Sequence, residues 1–113
     1  MVNLADLYRA QGREDQDEHW LRQAISVAPA AAEPAHALGL LEVRRGQLTQ
    51  ALGWLKKAVG LDAGNARYAY VYAVALSESG DRARARSVVR DARQRLPQDA
   101  SLLALQQQLQ QAH

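Results

Sequence analysis

The most constraining feature of this sequence is an internal repeat with a period of 34 residues. Glycine, a bulky apolar residue, alanine and proline all return in one register, which chance agreement at a single position does not explain. The matched positions are Gly12, Gly46 and Gly80; Trp20 and Trp54; Leu21, Leu55 and Val89; Ala24, Ala58 and Ala92; and Pro29 and Pro97. A fixed period of this length is typical of repeat architectures, in which each unit buries its apolar face against its neighbours.

Each period contains two stretches in which apolar residues recur at helical spacing. The repeated glycines are expected to end the first helix of each unit, because glycine adopts a left-handed cap without steric cost. Asn65 and Asp99 precede later helices and are expected to act as N-caps. The pattern predicts helices over residues 2–11, 14–27, 32–45, 48–61, 66–79, 82–96 and 99–112.

Composition narrows the class of protein further. The chain has 113 residues, 48% of them hydrophobic, a net charge of +2 and no cysteine, which predicts one folded domain and excludes disulfides and cysteine-ligated metals. Its longest apolar stretch, residues 68–76, is shorter than the roughly 18 residues that a membrane span needs. We expect a cytoplasmic protein, with the periplasm open if the chain is a piece of a longer protein, because a lack of cysteine suits both compartments.

The 34-residue helix-turn-helix pattern resembles the tetratricopeptide repeat. The middle unit places Ala35, Leu38, Gly39, Glu42, Ala51, Leu55 and Ala63 at the signature positions of that family. The third unit places Ala69, Tyr72, Ala73, Leu76, Ala85, Val89 and Pro97 there, and the first unit places Met1, Leu4, Ala5, Tyr8, Asp17, Leu21 and Pro29. Asp17 departs from the pattern, since the other two units have alanine at that position.

The resemblance implies an all-α, right-handed superhelical solenoid of antiparallel helix hairpins. Its expected units are a short repeat 1 (residues 1–31), repeat 2 (32–65), repeat 3 (66–99) and a C-terminal capping helix (100–113). Leu102, Leu105 and Leu109 form a single apolar stripe on that last helix, as a solenoid end requires. The alternative is that this helix begins a fourth repeat cut from a longer protein.

Aromatic residues of the repeats are expected to have packing roles. Tyr68 and Tyr72 are expected to pack between helices, and Trp20 and Trp54 to cover the seam between adjacent second helices. Small residues at the helix crossings, such as Gly39 and Ala73, would let neighbouring helices approach closely.

The family resemblance further implies a concave groove, lined by first helices, that holds a peptide or helix of a partner protein. The groove residues that it implies are His36, Leu40, Val43, Arg44, Arg67, Tyr70, Val74, Ser77 and Glu78, with Gln108 from the last helix. Two simpler interpretations are that the apolar members are scattered exposed residues, or that the C-terminal helix covers them. The carboxylate clamp of some family members is expected to be absent, since its positions carry Val2, Asp6, Ala37 and Val71.

Two further functions stay open at this stage. Arg82, Arg86, Arg90 and Arg93 lie within an arc of roughly 80° on one helix, which would suit a polyanion or nucleic acid. Nucleic-acid binding is the less favoured alternative, because Asp81 and Asp91 dilute this stripe and no stacking aromatics accompany it. Self-association through the solenoid is the other alternative.

Catalytic and metal-binding patterns are missing from the sequence. The serines have no neighbouring histidine or elbow motif, and His19, His36 and His113 fall on different predicted helices. We therefore expect no enzymatic activity, no cofactor and no metal, and a protein or peptide as the partner.

Overall fold

The computed structural model describes the backbone of residues 4–111 and the side chains of residues 16–111. Six α-helices and no strands make up this described part: α1 (Leu4–Val27), α2 (Ala32–Arg44), α3 (Leu48–Leu61), α4 (Ala66–Glu78), α5 (Arg82–Arg95) and α6 (Ala100–Gln111). Consecutive helices pack on one another, and α6 also contacts α4. The predicted all-α solenoid of helix pairs is confirmed. Within these residues no helix is both long and apolar enough to cross a membrane.

The turns after α2 and α4 explain why these chain segments form hairpins. Gly46 and Gly80 have φ values of 74° and 95°, a region that only glycine enters at little cost. At the first turn Gly46 N–H donates to Val43 at 3.0 Å and Gln47 N–H donates to Glu42 at 2.8 Å. The second turn repeats both bonds, so each glycine and the residue after it pair two carbonyls that the helix end would leave unpaired.

The predicted break at Gly12 is wrong for this structure. The helices expected over 2–11 and 14–27 are one helix, α1, which runs through Gly12 without a turn. The neighbours of this glycine, Gln11, Arg13 and Glu14, are good helix formers, so the helix continues at a cost of about 1 kcal/mol for one internal glycine. The other five predicted helices are confirmed, with ends that agree to within one residue.

Side-chain caps begin the later helices. Asn65 Oδ1 accepts from the Tyr68 amide at 3.1 Å, which confirms the predicted cap of α4. Asp99 Oδ1 accepts from the Leu102 amide at 2.9 Å and caps α6 as expected. Asp81 caps α5 in the same way, through the Arg84 amide at 3.1 Å.

The core follows the repeat register. Leu38, Leu55, Ala73 and Val89 have no exposed surface, and Leu102 of α6 is equally buried. Leu105 and Leu109 join the cluster formed by α3, α4 and α5, so α6 covers the apolar end of the helix stack. These contacts hold the first helices of successive units side by side and thereby shape one face of the molecule.

The aromatic residues divide into two groups. Tyr72 is buried in the core, and the Tyr68 ring packs on the His36 ring with centroids 4.4 Å apart, so both tyrosines pack between helices as predicted. Trp54 lies under the Arg22 guanidinium of α1, 5.8 Å from the ring centroid. Trp20 does not cover a seam as predicted, because 65% of its surface is exposed.

Candidate functional site

A crevice between α2 and α4 brings together five residues that the sequence analysis assigned to a groove. It has a volume of about 180 Å³ and is lined by Leu40, Val43, Tyr70, Val74 and Glu78. Four of these side chains are apolar or aromatic, and Glu78 contributes the single charge. This arrangement can hold an apolar side chain of a ligand, with a polar group at one edge.

A second crevice continues the same face between α4 and α6. Tyr70, Val74, Ser77 and Glu78 line it from α4, and its volume is about 360 Å³. The opposite wall consists of Leu105, Gln108 and Leu109 of α6, with Arg82 at the rim. We call the two crevices together the α2–α4–α6 groove.

The C-terminal helix forms a wall of this groove and does not close it. Tyr70, which lines both crevices, keeps 36% of its surface exposed. The interpretation that α6 covers the apolar residues is therefore not supported for Tyr70. Because Tyr70 and Val74 border both crevices, they form the central ridge of the groove.

Two predicted residues lie at the ends of the groove. Arg44 lines a neighbouring crevice between α1 and α2 that also contains Leu40. Arg67 lines a crevice of about 310 Å³ that contains Tyr70 and the N-cap residue Asp99. Each arginine therefore shares a crevice with one apolar groove residue but lies apart from the other arginine.

His36 differs from the expectation, because the structure does not place it in the groove. Its side chain is only 5% exposed and stacks on Tyr68, and neither ring nitrogen has a hydrogen-bond partner. Burial lowers the pKa of His36, and the positive charge of Arg67 lowers it further. The helical position was assigned from the register alone, which cannot show that a neighbouring tyrosine covers the imidazole.

Four apolar residues that line the groove are not among the predicted peptide-binding residues, although Val71 stands at a predicted clamp position. Val71 and Ala75 line the α2–α4 crevice, and Leu105 and Leu109 line the α4–α6 crevice. The two pairs are separated by one 34-residue period, so they occupy equivalent positions of successive first helices. The internal repeat was therefore the signal that could have identified them.

The positions of the carboxylate clamp carry apolar side chains where the structure describes them. Val71 lines the α2–α4 crevice, and Ala37 lines the crevice between α1 and α2. Val2 and Asp6 lie outside the described side chains. Neither Val71 nor Ala37 can donate a hydrogen bond from its side chain to a carboxylate.

The arginine stripe of α5 is largely engaged in contacts within the protein. Arg86 Nε donates to the Leu109 carbonyl of α6 at 3.2 Å. Arg93 donates to Gln106 Oε1 and to the Pro97 carbonyl, the latter at 3.3 Å. These arginines therefore attach α6 to α5, and Arg86 serves one of the carbonyls at the C-terminal end of α6.

A network of charges attaches α1 to the end of α2. Glu18 accepts hydrogen bonds from Arg45 and, at 3.3 Å, from Arg22. Arg45 also lies 3.7 Å from the Glu42 carboxylate, whose side chain is 9% exposed. The hydrogen bond from Arg45 is the main reason why the pKa of Glu18 is lowered. Helical spacing predicts the pairs Glu18–Arg22 and Glu42–Arg45, but not the contact of Glu18 with Arg45, which lies 27 positions further along the chain.

Among the described residues, no three histidine, cysteine, aspartate or glutamate side chains are grouped so that they could hold a metal ion. The polar groups of the groove are dispersed around an apolar floor. The geometry thus suits recognition of an apolar segment.

Comparison with known proteins identifies the class to which this fold and groove belong. A tetratricopeptide repeat family model matches residues 42–109, and a second tetratricopeptide repeat model matches residues 1–30. The chain belongs to the tetratricopeptide repeat family. Among proteins with curated descriptions, none matches the sequence.

Solved structures share the same fold. The crystal structure of MamA has a TM-score of 0.74 at 20% identity, and the match covers 96% of this chain and 64% of that chain. This chain thus spans just under two thirds of the MamA chain.

Two further matches are structures of complexes. The Yersinia enterocolitica type III secretion chaperone SycD, in complex with a peptide of the translocator YopD, has a TM-score of 0.71 at 17% identity, covering 95% of this chain and 82% of that one. The first tetratricopeptide repeat domain of Spaghetti (RPAP3), bound to the HSP90 peptide SRMEEVD, has a TM-score of 0.75 at 13% identity, covering 94% and 84%.

Proposed function

We propose that this protein is a non-catalytic interaction module that binds a peptide or helix of a partner protein in the α2–α4–α6 groove. The observation that carries the proposal is the continuous apolar surface around Tyr70 and Val74, which is open to solvent and borders two crevices. Apolar surface of this kind gains free energy when a partner removes it from water.

The matched complexes support this proposal. SycD and the RPAP3 domain share the fold and were each determined with a bound peptide. Their identity to this chain is low, so they support the mode of binding and leave the ligand chemistry to the residues of this groove.

The groove residues favour an apolar anchor in the bound segment. Leu40, Val43 and Val74 would surround such an anchor next to the Tyr70 ring. Arg44 and Arg67 lie toward opposite ends, where charge-assisted hydrogen bonds to acidic groups would set the register of the segment. Because the groove is built on packed helices, little conformational entropy of the protein would be lost on binding.

The polyanion alternative has less support from the structure. Arg86 and Arg93 donate hydrogen bonds to α6, and Arg90 donates to Ser87 of its own helix at 3.0 Å. A phosphate backbone would have to compete with these internal acceptors for the guanidinium groups.

Binding can be tested with a peptide selected from a random library against the wild-type protein. We expect Tyr70→Ala and Val74→Glu each to weaken its affinity by more than 1 kcal/mol, about fivefold or more, because both remove contacts at the centre of the groove. Isothermal titration calorimetry would measure the affinity, and circular dichroism would confirm unchanged helicity.

The matched control is Leu103→Glu. Leu103 is 38% exposed, close to the 36% of Tyr70, but it lies on α6 outside the groove. A peptide whose affinity falls equally in the Leu103 and Val74 variants would contradict binding in the groove.

We also propose the division into repeats 1–31, 32–65 and 66–99 with a capping helix over 100–113, and a location in the cytoplasm. The turns at Gly46 and Gly80 support repeats 2 and 3, and the family-model match over residues 1–30 supports the bounds of repeat 1. Cell fractionation of the source organism would test the location.

A further inference from the structure

The crevice between α1 and α2 is an uncovered site of helix packing. It has a volume of about 300 Å³ and is lined by Trp20 and Leu21 of α1 and by Ala37, Leu40 and Arg44 of α2. A second helix of one unit and the first helix of the next thus form its two walls. In units 2 and 3, first helices pack on the equivalents of Leu21: Gly39 of α2 lies against Leu55, and α4 shares a core cluster with Val89.

Among the residues whose side chains the structure describes, no helix covers Leu21 as fully as first helices cover its later counterparts. Leu55 and Val89, which correspond to Leu21 one and two periods later, have no exposed surface. Leu21 itself is only partly buried. Ala24 is also partly buried, whereas its counterpart Ala58 is fully covered. The core position of the first unit is therefore less covered than the equivalent positions of the other two units.

The sequence that should cover this position lies in the first half of α1. Leu4 and Ala5 stand one period before Leu38 and Gly39, the α2 residues of the hairpin core. Because α1 is continuous, this segment extends the helix beyond the α1 residues that line the crevice. In the continuous helix, residue 6 lies about 16 Å along the axis from Asp17, which lines the crevice, at about 1.5 Å per residue.

We propose that residues 4–11 of a second copy of this chain occupy the α1–α2 crevice, so that two copies form a symmetric dimer by exchanging this segment. Two α1 helices would lie antiparallel, with Ala5 of each beside Leu21 of the other. The two-fold axis would pass near Arg13, midway between those positions. A single two-fold rotation then fills both crevices, so the assembly ends at two copies.

The continuous helix is what favours a second copy over the same chain. Folding the segment back onto its own crevice would need a left-handed turn at Gly12, like those at Gly46 and Gly80. The backbone at Gly12 is instead helical, so the segment continues along the axis of α1, as an exchanged element requires. This inference does not depend on peptide binding in the α2–α4–α6 groove.

Cross-linking of single-cysteine variants tests the exchange, because the chain has no cysteine of its own. Asp6→Cys and Leu40→Cys would be made in separately tagged chains, mixed after unfolding and refolding, and treated with a short bismaleimide. Positions 6 and 40 correspond to positions 40 and 74, which line one crevice. We expect a cross-linked heterodimer carrying both tags.

The double variants distinguish the other occupants. A Leu40→Cys, Val74→Cys chain is the positive control and should link within one chain. If the Asp6→Cys, Leu40→Cys chain links only within itself at dilute concentration, its own segment fills the crevice and the dimer is wrong. Absence of any link to position 40, while the control pair links, would also overturn the proposal.

Sedimentation provides a second readout. Trp20→Ala should raise the dimer dissociation constant at least tenfold, since Trp20 lines the crevice but is 65% exposed in one copy and is not needed for its core. Val27→Ala is the control, because Val27 lies on the same helix, is 85% exposed and is outside the crevice. Gly12→Ala should leave the dimer intact, because a continuous helix accepts alanine. Equal dissociation constants for the wild type and the Trp20 variant would contradict the proposal.

Discussion

At Gly39, the crossing of α2 and α3 leaves no room for a side chain. A Cβ atom built there would lie 2.6 Å from Cδ2 and 2.7 Å from Cγ of Leu55, a residue with no exposed surface. Contacts this short require a shift of the leucine or of the two helices. Glycine at this crossing therefore sets the distance between the helices of one unit.

We predict that Gly39→Ala lowers the free energy of unfolding by about 1–3 kcal/mol, because the new methyl group overpacks the crossing. Urea denaturation followed by circular dichroism would measure the change. Gly53→Ala is the matched control, since Gly53 lies inside α3 with no atom near its Cβ position. That variant should gain up to about 1 kcal/mol from the better helix propensity of alanine. A Gly39→Ala protein as stable as the wild type would show that the crossing adapts.

His36 couples the stability of the protein to pH. Its folded-state pKa is lowered because the ring is buried and Arg67 is nearby. Below about pH 6.5 the unfolded chain binds a proton at this residue that the folded protein does not bind. The stabilising contribution is therefore fully present above that pH and is lost as the pH falls toward the folded-state pKa.

We predict that the free energy of unfolding decreases as the pH falls below about 6.5, and that His36→Phe reduces this decrease. Phenylalanine keeps a ring against Tyr68 but cannot take up a proton. Urea titrations at several pH values would give the two profiles. Glu18 has a lowered pKa and loses its contribution only as the pH falls below about 4.5, so the two windows are separable. Parallel profiles for the two proteins above pH 5 would refute the assignment to His36.

At the scale of single elements, α6 is held by apolar contacts and by arginines of α5. Leu102, Leu105 and Leu109 bury its apolar stripe, while Arg86 and Arg93 donate to acceptors on or just before α6. The sequence alone suggested that the arginines of α5 bind a ligand, whereas in the structure Arg86 and Arg93 hold α6. Salt weakens such hydrogen bonds from charged donors, which stabilise a terminal helix that packs on the solenoid from one side only.

We predict that Arg93→Ala destabilises α6 by about 1 kcal/mol, because Gln106 and the Pro97 carbonyl lose a charged donor. Hydrogen exchange measured by mass spectrometry should be faster in residues 100–111 of the variant than in the wild type, while the exchange of α3 stays the same. Arg90→Ala is the control, because Arg90 contacts only Ser87 and Asp91 of its own helix in the described interactions. Faster exchange of α6 in both variants would mean that charge on α5, and not the Arg93 contacts, holds the helix.

At the scale of the whole molecule, the stability of each helix pair depends on its contacts with the next pair. Each helix contacts mainly its neighbours along the chain, and α6 adds contacts to α4 and α5. Without α6, the apolar faces of α4 and α5 would be exposed to water, because Leu105 and Leu109 complete the core cluster that those faces form. A solenoid of this size therefore depends on its terminal helix.

We predict that a chain ending at Asp99 loses about 5 kcal/mol of stability. It lacks Leu102, Leu105 and Leu109, whose side chains are only 0%, 5% and 3% exposed in the full chain, and with them the apolar surface that they bury. Thermal denaturation would show a large drop in melting temperature or no cooperative transition. Leu103→Ala, on the exposed side of α6, should change stability by less than about 0.5 kcal/mol. Cooperative unfolding of the shortened chain at the wild-type temperature would contradict a capping role for α6.

The sequence by itself determined the helices from residue 32 onward, their glycine turns and the core register. These features depend on local propensity, on capping residues and on a period that is visible without coordinates. Most of the groove followed as well, because Leu40, Val43, Tyr70 and Val74 occupy one helix face in each unit. The missed residues Leu105 and Leu109 obey that same register.

Only the tertiary structure decided the course of α1, the burial of His36 and the use of the α5 arginines. A glycine permits a turn but does not impose one, so the repeat register alone could not decide between a break and a continuous helix at Gly12. His36 is buried because the Tyr68 ring, 32 positions further along the chain, stacks on it. Arg86 and Arg93 serve α6 because that helix brings acceptors within reach. For His36 and for these arginines the deciding contact joins residues on different helices, and a local pattern in the sequence cannot specify such a contact.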